Sequence, residues 1–340
     1  MIQRNEQRRK MILDCDPGIG PGLDADDVLA LLFALASPEL RLEGVTTVFG
    51  NVEVRRATEN ALRTLEAAGR LDIPVAMGMG GPLSGRLHPR SEAEYAHHQS
   101  LLGPIDDARV DTQRHELHAS DFIISKVNKY PGEVTIVAVG SLTNVAMALL
   151  KEPSIKAKIP RIAIMGGAFA REPQFGRGNI TPVAEYNIWN DPLAADIVFE
   201  SGIPITAVGL DVTNPAKGTV MYEEQLFGLV KQRNKLSAFL HDVCKTYIDT
   251  PKFNWAKKGC LLYDPLVVGT LVDRSLVTTE RSRVRVETVS ELTRGQTVAF
   301  PSDEGTVDVC VDVNGPGFVE LFVSRLQALV DQCADVAEGN

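Results

Sequence analysis

The stretch that decides the fold covers residues 10–36 and reads KMILDCDPGIGPGLDADDVLALLFALA. Its apolar residues 11–13 are typical of a short strand, which carries Asp14 and Asp16 to a Pro17-Gly18 turn where the backbone must reverse. After a loop rich in glycine and proline, residues 28–35 are almost entirely apolar and predict a helix that is buried on most sides. The stretch therefore predicts a buried strand, a loop and a buried helix, with carboxylates at both ends of the loop.

Five carboxylates lie within fourteen residues of this stretch: Asp14, Asp16, Asp24, Asp26 and Asp27. Acids in the first turn of a helix can cap free N–H groups and suit the positive end of its dipole, so one interpretation is a solvated strand end before a capped helix. Five acids are more than caps require, however, and burying one unpaired charge costs several kcal/mol. The other interpretation is that a cation holds the loop together, and oxygen ligands favour a hard ion such as Ca²⁺ or Mg²⁺.

The composition narrows the class of protein. The chain has 340 residues, of which 44% are hydrophobic, enough for the core of a large α/β domain. Its formal net charge of -9 argues against nucleic-acid and anionic-membrane partners, which need clustered basic residues. The amino terminus lacks the apolar core of a signal peptide, and no apolar run approaches the ~20 residues that span a bilayer, which predicts a cytoplasmic protein. Five cysteines at no metal-like spacing argue against a zinc site or a disulfide framework.

Strand and helix signals alternate regularly through the first two hundred residues, which is the pattern of βαβ units. We predict an α/β fold with a mostly parallel central sheet and helices on both faces. One domain is expected over residues 1–340, with residues 1–9 as a disordered tail. Polar residues recur where the predicted strands end, as at Asp16, Asn51 and Asp211. Open α/β sheets bind their ligands at that edge, so we expect the functional site there.

Outside the alternating region the patterns are less regular. Residues 78–111 form a long polar stretch that we predict to be a loop, and residues 252–260 predict a second one. Two segments alternate with period two, residues 283–289 and 307–313, and predict an antiparallel hairpin before a last helix near residues 317–330.

Two groups of polar residues later in the chain are candidates for a site. Asp264 follows an apolar pair and precedes Pro265, a position that is also typical of a helix N-cap. Asn179, Glu185 and Asn187 lie in a glycine-rich loop after a strand. They either satisfy that turn or offer donors and acceptors to the oxygens of a polyhydroxyl ligand.

The loop after the first strand fits two other kinds of site less well. The segment Gly18-Ile19-Gly20-Pro21-Gly22 superficially resembles a dinucleotide loop, but Leu23 stands where GxGxxG needs its third glycine, and the nearby aspartates would repel a pyrophosphate. Asp14 and Asp16 also fit phosphatases with an aspartyl nucleophile. Those enzymes want a threonine or valine soon after the pair, and Pro17-Gly18 stands there instead.

Taken together, these residues resemble the inosine-uridine nucleoside hydrolase family, whose opening signature is DxDPGxDD. Here the signature reads Asp14-Cys15-Asp16-Pro17-Gly18 and Asp26-Asp27, with a spacer that is longer by six residues. The resemblance covers nearly the whole chain, through the motifs VTTVFGN, AVGSLTN, MGGAF, NITPVAEYNIWNDP, YDPL and ELTRGQT. Because several separate motifs occur in the family's order, the resemblance is specific.

The resemblance implies a Ca²⁺-dependent hydrolase that cleaves the N-glycosidic bond of ribonucleosides to give free base and ribose. By resemblance, the ion is held by Asp16, Asp27, Asp264 and the main-chain carbonyl of Val139. Asp16 also accepts a proton from the attacking water as general base. A different class of reading is a nucleoside- or ribose-binding protein of the same fold that has lost catalysis.

The resemblance also implies how the nucleoside is bound and how the protein assembles. Asp26 and Asn51 are expected to help bind the ribose and shape the site. The ribose hydroxyls are expected to contact Asn179, Glu185 and Asn187. The family suggests a homodimer or a homotetramer.

Two departures from the family pattern leave questions open. The insertion at residues 19–25 makes Asp24 a rival for a ligand position, although Asp26 and Asp27 directly start the predicted helix. Many family members carry a histidine before the last aspartate as proton donor to the leaving base, and here that residue is Tyr263. Tyr263 could stack on a base and donate through its hydroxyl, and His97 in the long loop is a second candidate donor. The base preference therefore stays open.

Overall fold

The computed structural model describes residues 8–171, 176–231, 234–250 and 258–338. Residues 1–7 of the predicted tail and residues 252–257 of the predicted second loop lie outside this description. Arg9 already begins a strand, so the tail prediction is wrong at that residue.

A nine-stranded sheet forms the centre of the described protein, and two further strands pair beside it. The strands in chain order are β1 (Arg9–Cys15), β2 (Leu40–Thr47), β3 (Val75–Met77), β4 (Val134–Ala138), β5 (Ile162–Met165), β6 (Ile205–Val208), β7 (Val220–Tyr222), β8 (Gly259–Leu261), β9 (Val277–Val286), β10 (Thr297–Pro301) and β11 (Val307–Val313). The large sheet has the order β10-β9-β11-β6-β5-β4-β1-β2-β3. All neighbours from β11 to β3 are parallel, whereas β9 is antiparallel to β10 and β11.

Helices cover both faces of this sheet. They are α1 (Asp26–Ala36), α2 (Val54–Ala67), α3 (Pro89–Leu102), α4 (Asp107–Gln113), α5 (Ala119–Lys129), α6 (Thr143–Lys151), α7 (Tyr186–Asn190), α8 (Pro192–Phe199), α9 (Glu223–Leu229), α10 (Lys235–Ile248), α11 (Tyr263–Val272) and α12 (Gly315–Glu338). Together with the parallel sheet they confirm the predicted α/β fold.

The core is divided by the sheet into two apolar layers. Successive side chains of a strand point to opposite faces, so Met11 and Leu13 of β1 join one buried cluster and Ile12 joins the other. The first cluster includes residues of α1, α2, α10, α11 and α12, and the second includes residues of α5, α6 and α8. Because both faces of the sheet are covered at its centre, central strands such as β4 and β5 read as nearly continuous apolar runs in the sequence.

The prediction of a loop over residues 78–111 is wrong, because α3 and most of α4 lie within it. Ser91 is the one buried residue of α3, all of which the structure describes. A helix with so little buried surface has no apolar stripe, and its sequence therefore lacks the period that marks an amphipathic helix.

The predicted terminal hairpin is partly right. β11 is antiparallel to β9 as expected, but it pairs with residues 277–282, whereas residues 282–286 pair with β10, which the sequence did not reveal. Ser282 is the residue of β9 at which the pairing changes from β10 to β11. Gly305, in the connection between β10 and β11, lies so close to it that a Cβ would be 2.2 Å from the Ser282 carbonyl oxygen. On its other side β11 pairs in parallel with β6.

Within the described residues, no helix has both the length and the apolar character needed to cross a membrane.

Candidate active site

The candidate site lies at the carboxyl edge of the parallel strands. Asp16 follows β1 directly, Asn51 lies in the turn after β2, and Val139 follows β4. A cavity of about 960 Å³ opens at this edge. Nine of the eleven predicted site residues line it, namely Asp26, Asn51, His97, Val139, Asn179, Glu185, Asn187, Tyr263 and Asp264. The remaining two, Asp16 and Asp27, are hydrogen-bonded to Asn51 and are buried.

The Asp16 carboxylate is held in a narrow space between two glycines. The backbone N–H of Asn51 donates to Asp16 Oδ2 at 2.5 Å. A Cβ at Gly50 would lie 1.8 Å from Asp16 Oδ2, and a Cβ at Gly140 would lie 2.5 Å from Asp16 Oδ1. Since Cβ atoms do not approach oxygens so closely, the present position of the carboxylate requires glycine on both sides.

Asp16 and Asp27 are linked to each other and to Asn51. The backbone N–H of Asp16 donates to Asp27 Oδ1 at 2.9 Å, and Asn51 Nδ2 donates to Asp27 Oδ2 at 3.1 Å. These two bonds fix the first turn of α1 against the end of β1. The insertion therefore leaves the DxD and DD halves of the signature in contact.

One oxygen of Asp16 lacks a protein partner. Asp16 Oδ1 is buried and accepts no hydrogen bond from any residue that the structure describes. Burial is the largest cause that raises the pKa of Asp16, and the neighbouring charge of Asp27 raises it further. An unpartnered, buried carboxylate oxygen is costly, and a bound cation would remove that cost.

Asp26, Asp27 and Asp264 form a compact acidic group. All three are buried, and one oxygen from each lies within 4.8 Å of the others. Burial is the main cause that raises the pKa of each of them, to about 7 for Asp27. Among the described residues, no lysine or arginine forms an ion pair with any of the three or with Asp16. This donor set of carboxylate oxygens fits a hard cation.

The geometry bears on two alternatives that the sequence left open. Asp24 lines the cavity, and its charge contributes to the raised pKa values of Asp16, Asp26 and Asp27, but it is outside the compact group. The N-cap position of α11 is Leu262, so the alternative interpretation of Asp264 as an N-cap is excluded.

Glu185 combines a structural task with its place in the cavity. It is the N-cap of α7, and its carboxylate accepts hydrogen bonds from the backbone N–H groups of Asn187 at 2.8 Å, Ile188 at 3.1 Å and Gly167 at 3.2 Å. Burial raises the pKa of Glu185 to about 7, although these bonds act in the opposite direction. The carboxylate is thus held in one orientation before any ligand arrives.

Asn187 and Asn179 lie on either side of Glu185 in the cavity wall. Asn187 Nδ2 donates to the carbonyl oxygen of Val139 at 2.8 Å and to that of Met165 at 3.2 Å. The carbonyl that the family resemblance assigns to the ion is therefore oriented by a residue that the resemblance assigns to the ribose. Asn179 is exposed, and its Oδ1 accepts from the backbone N–H of Tyr186 at 2.9 Å.

The two candidate proton donors both line the cavity. Tyr263 is the first residue of α11 and is half-buried. Burial, followed by the charges of Asp24 and Asp26, raises the pKa of Tyr263, so its hydroxyl stays protonated at neutral pH. His97 lies on α3 with an exposed side chain, and the adjacent His98 is more buried.

Sequence reasoning missed two residues that support the site. Tyr186 lines the cavity, and its hydroxyl donates to the carbonyl oxygen of Gly50 at 3.0 Å. Asn144 donates from Nδ2 to Asp14 Oδ1 at 2.8 Å and to the carbonyl oxygen of Thr47 at 2.9 Å. Both residues belong to motifs that carry the resemblance, which was the signal available, but neither has a residue type that suggests its contact.

Comparisons with known proteins show what this chain is similar to. The family model described as "Inosine-uridine preferring nucleoside hydrolase" matches residues 11–320. The chain is 41% identical over 282 residues to uridine nucleosidase 1 of Arabidopsis thaliana, covering 83% of this chain and 79% of that protein. It is 40% identical over 325 residues to the pyrimidine-specific ribonucleoside hydrolase RihA of Shewanella sp. (strain ANA-3), covering 94% and 96%. A purine-preferring ribonucleoside hydrolase from Gardnerella vaginalis superposes with a TM-score of 0.82 at 33% identity, covering 95% of this chain and 100% of that chain.

Proposed function

Since this chain belongs to the inosine-uridine preferring nucleoside hydrolase family and is a nucleoside hydrolase, we propose that it hydrolyses ribonucleosides with Ca²⁺ as cofactor and Asp16 as general base. The observation that carries this proposal is the buried Asp16 carboxylate, whose Oδ1 accepts no hydrogen bond from the described residues and which neighbours three further acids. The retention of this acidic cluster favours catalysis over a binding protein without activity.

The residues that would hold the ion are Asp16, Asp27, Asp264 and the carbonyl oxygen of Val139. The compact group of Asp26, Asp27 and Asp264 supports two of these ligands directly. The hydrogen bonds that Asn51 donates to both Asp16 and Asp27 hold the two carboxylates together and support the inclusion of Asp16. When bound, Ca²⁺ would keep these carboxylates ionised and lower the pKa of a water molecule in the cavity.

The chemical step then needs a base, a stabilised ring cation and an acid. Asp16 accepts a proton from the attacking water through Oδ1, while Oδ2 stays bound to the Asn51 N–H. The water oxygen forms a bond to C1′ of the ribose, and the bond between C1′ and the base nitrogen breaks with its electron pair going to the base. The positive charge that develops on the ribose ring is stabilised by the surrounding carboxylates.

The ribose is bound by the wall that contains α7. Glu185, Asn187 and Asn179 offer carboxylate and amide groups to its hydroxyls, and Asp26 and Asn51 add further polar groups that line the same cavity. Because the Glu185 oxygens already accept three backbone N–H groups, the carboxylate is preorganised to receive a hydroxyl that donates to it. A polar wall of this kind binds the sugar, which all ribonucleosides share.

The departing base takes up a proton from Tyr263 or His97. Tyr263 is favoured because it is less exposed than His97 and directly precedes Asp264, a candidate ion ligand. Relatives of this chain are named for uridine, for pyrimidines and for purines, and the cavity of about 960 Å³ has room for either kind of base. We therefore propose that both classes are substrates. The family resemblance also leads us to propose a homodimer or homotetramer.

The test is release of reducing sugar from inosine, adenosine, guanosine, uridine and cytidine, before and after dialysis against a Ca²⁺ chelator. We expect release that is lost on chelation and restored by Ca²⁺. The variant Asp16→Asn should lower turnover at least ~100-fold, as loss of a general base does. Asp107→Asn, which alters an exposed surface aspartate, is the matched control. Chelator-resistant release, or near-normal turnover of Asp16→Asn, would contradict the proposal.

A further inference from the structure

Residues 294–297, which we call the clamp, lie in the connection between β9 and β10 and at the start of β10, and contact the segment that carries Glu185 and Asn187. Arg294 Nε donates to the carbonyl oxygen of Trp189 at 3.2 Å, and its Nη2 donates to that of Asn190 at 3.4 Å. These are the last two carbonyls of α7, which have no partner within a helix that ends there. A positive side chain at this end also suits the helix dipole.

Gly295 and Gln296 hold the other parts of the same segment. Gly295 has φ of 75°, and a Cβ there would lie 2.7 Å from Trp189 Cα, so glycine is needed for the close approach. Gln296 forms an antiparallel bridge with Ala184, the residue before Glu185. The clamp therefore contacts the chain on both sides of the two ribose-binding candidates.

Thr297 extends the clamp to the turn after β5. Its Oγ1 accepts from the backbone N–H of Ala168 at 3.0 Å and donates to the Ala168 carbonyl at 3.2 Å. The neighbouring Gly167 donates its N–H to Glu185 Oε2 at 3.2 Å. One four-residue segment thus contacts the residue before the cap, the end of its helix and the residue after one of its hydrogen-bond donors.

We propose that the clamp, and Arg294 in particular, positions Glu185 and Asn187 for ribose binding. α7 covers residues 186–190, little more than one turn, and so short a helix is not stable by its own hydrogen bonds. Its orientation must come from outside contacts, and the clamp supplies them at both ends. Through the bond from Asn187 Nδ2 to the Val139 carbonyl, the same orientation reaches the candidate ion ligand.

This inference rests on the proposed function, because it concerns residues assigned to the ribose. A positioning role predicts an effect on substrate binding that a purely structural role does not predict. Every ribonucleoside contains the same sugar, so a less ordered α7 should weaken the binding of purine and pyrimidine nucleosides by the same factor. A change in the base-binding side of the cavity would instead separate the two classes.

The experiment compares Arg294→Met with wild type in saturating Ca²⁺. We expect KM for inosine and for uridine to rise by the same factor, about tenfold, with a smaller fall in kcat, since charge-assisted hydrogen bonds of this strength are lost. Arg294→Lys, which keeps the charge but not the forked donor, should recover part of the effect. Arg285→Met is the matched control, because Arg285 lies on the same hairpin and pairs with the exposed Glu200. Its constants should equal those of wild type.

Two further readouts separate positioning from simple loss of stability. The effects of Arg294→Met and Asn187→Ala should be less than additive, because both act on the same contacts. Hydrogen exchange at the amides of residues 185–190 should be faster in Arg294→Met at a temperature where both proteins are folded. Exchange does not depend on activity, so it tests the clamp whatever the substrate is.

The outcomes distinguish the two proposals. A wild-type protein that releases no ribose from any nucleoside contradicts the proposed function, and exchange at residues 185–190 then decides the clamp alone. Active wild type with unchanged KM and unchanged exchange in Arg294→Met overturns the clamp. A rise in KM for one base class only, or full additivity with Asn187→Ala, overturns it as well.

Discussion

Replacing Gly140 by alanine tests whether the position of the Asp16 carboxylate sets the activity. Gly140 does not have the positive φ that would exclude alanine, but its new Cβ would lie 2.5 Å from Asp16 Oδ1 and 2.8 Å from Val48 Cγ1. To reach ordinary van der Waals contact, Oδ1 must move by roughly 1 Å. A misplacement of about 1 Å in a reacting group can cost on the order of 100-fold in rate.

We therefore expect kcat/KM of Gly140→Ala to fall about 100-fold. Affinity for Ca²⁺ should fall roughly tenfold or more, because Oδ1 is also a candidate ligand atom. The free energy of unfolding should fall by about 1–3 kcal/mol, the usual result of adding a methyl group to a full site. Release of reducing sugar, calorimetric titration with Ca²⁺ and urea unfolding measure the three effects.

Gly228→Ala provides the control for adding a methyl group. Gly228 lies in α9, and no described heavy atom stands within 4 Å of its new Cβ. Alanine should raise the free energy of unfolding by roughly 0.5–1 kcal/mol and leave activity unchanged. If Gly140→Ala keeps activity within about threefold of wild type and binds Ca²⁺ normally, the carboxylate does not act from its present position, and the reasoning on Asp16 fails.

Four further predictions concern the same cavity. Burial raises the pKa of Glu185 to about 7, so the folded protein keeps the Glu185 proton to a higher pH than the unfolded chain does. The contribution of this group to the free energy of unfolding should therefore fall by about 3 kcal/mol between pH 4.5 and 7. Urea unfolding of Glu185→Gln should lack that part of the slope, and parallel profiles would refute it. Tyr263→Phe should lower kcat for inosine at least ~10-fold, whereas an unchanged rate would leave only stacking to this residue. Removing Ca²⁺ should lower the melting temperature, which should then rise with added Ca²⁺ in a concentration-dependent way, and a temperature insensitive to Ca²⁺ would contradict the ion site. Leu23→Ala should raise KM several-fold with little change in kcat, because Leu23 of the insertion packs against Leu102 at the end of α3. Equal KM values in the variant and wild type would show that the insertion does not support that helix.

The parts of the fold that the sequence predicted are those in which local pattern and final environment agree. β1 and α1 are buried almost throughout, so their apolar runs mark both elements, and Pro17-Gly18 marks the turn between them. The site residues at strand ends were predictable for a related reason. Parallel strands bring their carboxyl ends to one edge, so polar residues that are distant in sequence meet there.

The parts that were not predicted depend on contacts between distant segments. α3 buries little of its surface and so carries no apolar stripe, although it lines the cavity. The residue type of Arg294 does not distinguish it from an ordinary surface arginine. Its proposed role depends on hydrogen bonds to two carbonyl oxygens about one hundred residues earlier in the chain. In the same way, the partner of Asp14 is Asn144 of α6, which a sequence pattern cannot identify because the contact between this strand and that helix follows from the fold.

The distribution of the acids along the chain has a consequence for biosynthesis. Asp16 and Asp27 belong to the first strand and helix, whereas Asp264 is translated more than two hundred residues later. A nascent chain therefore carries the mutually repelling aspartates at the end of β1 and in α1 long before Asp264, the last candidate ligand, exists. Capture of the ion then has to await the emergence of α11 from the ribosome, so the metal would stabilise finished chains and leave incomplete ones without that support.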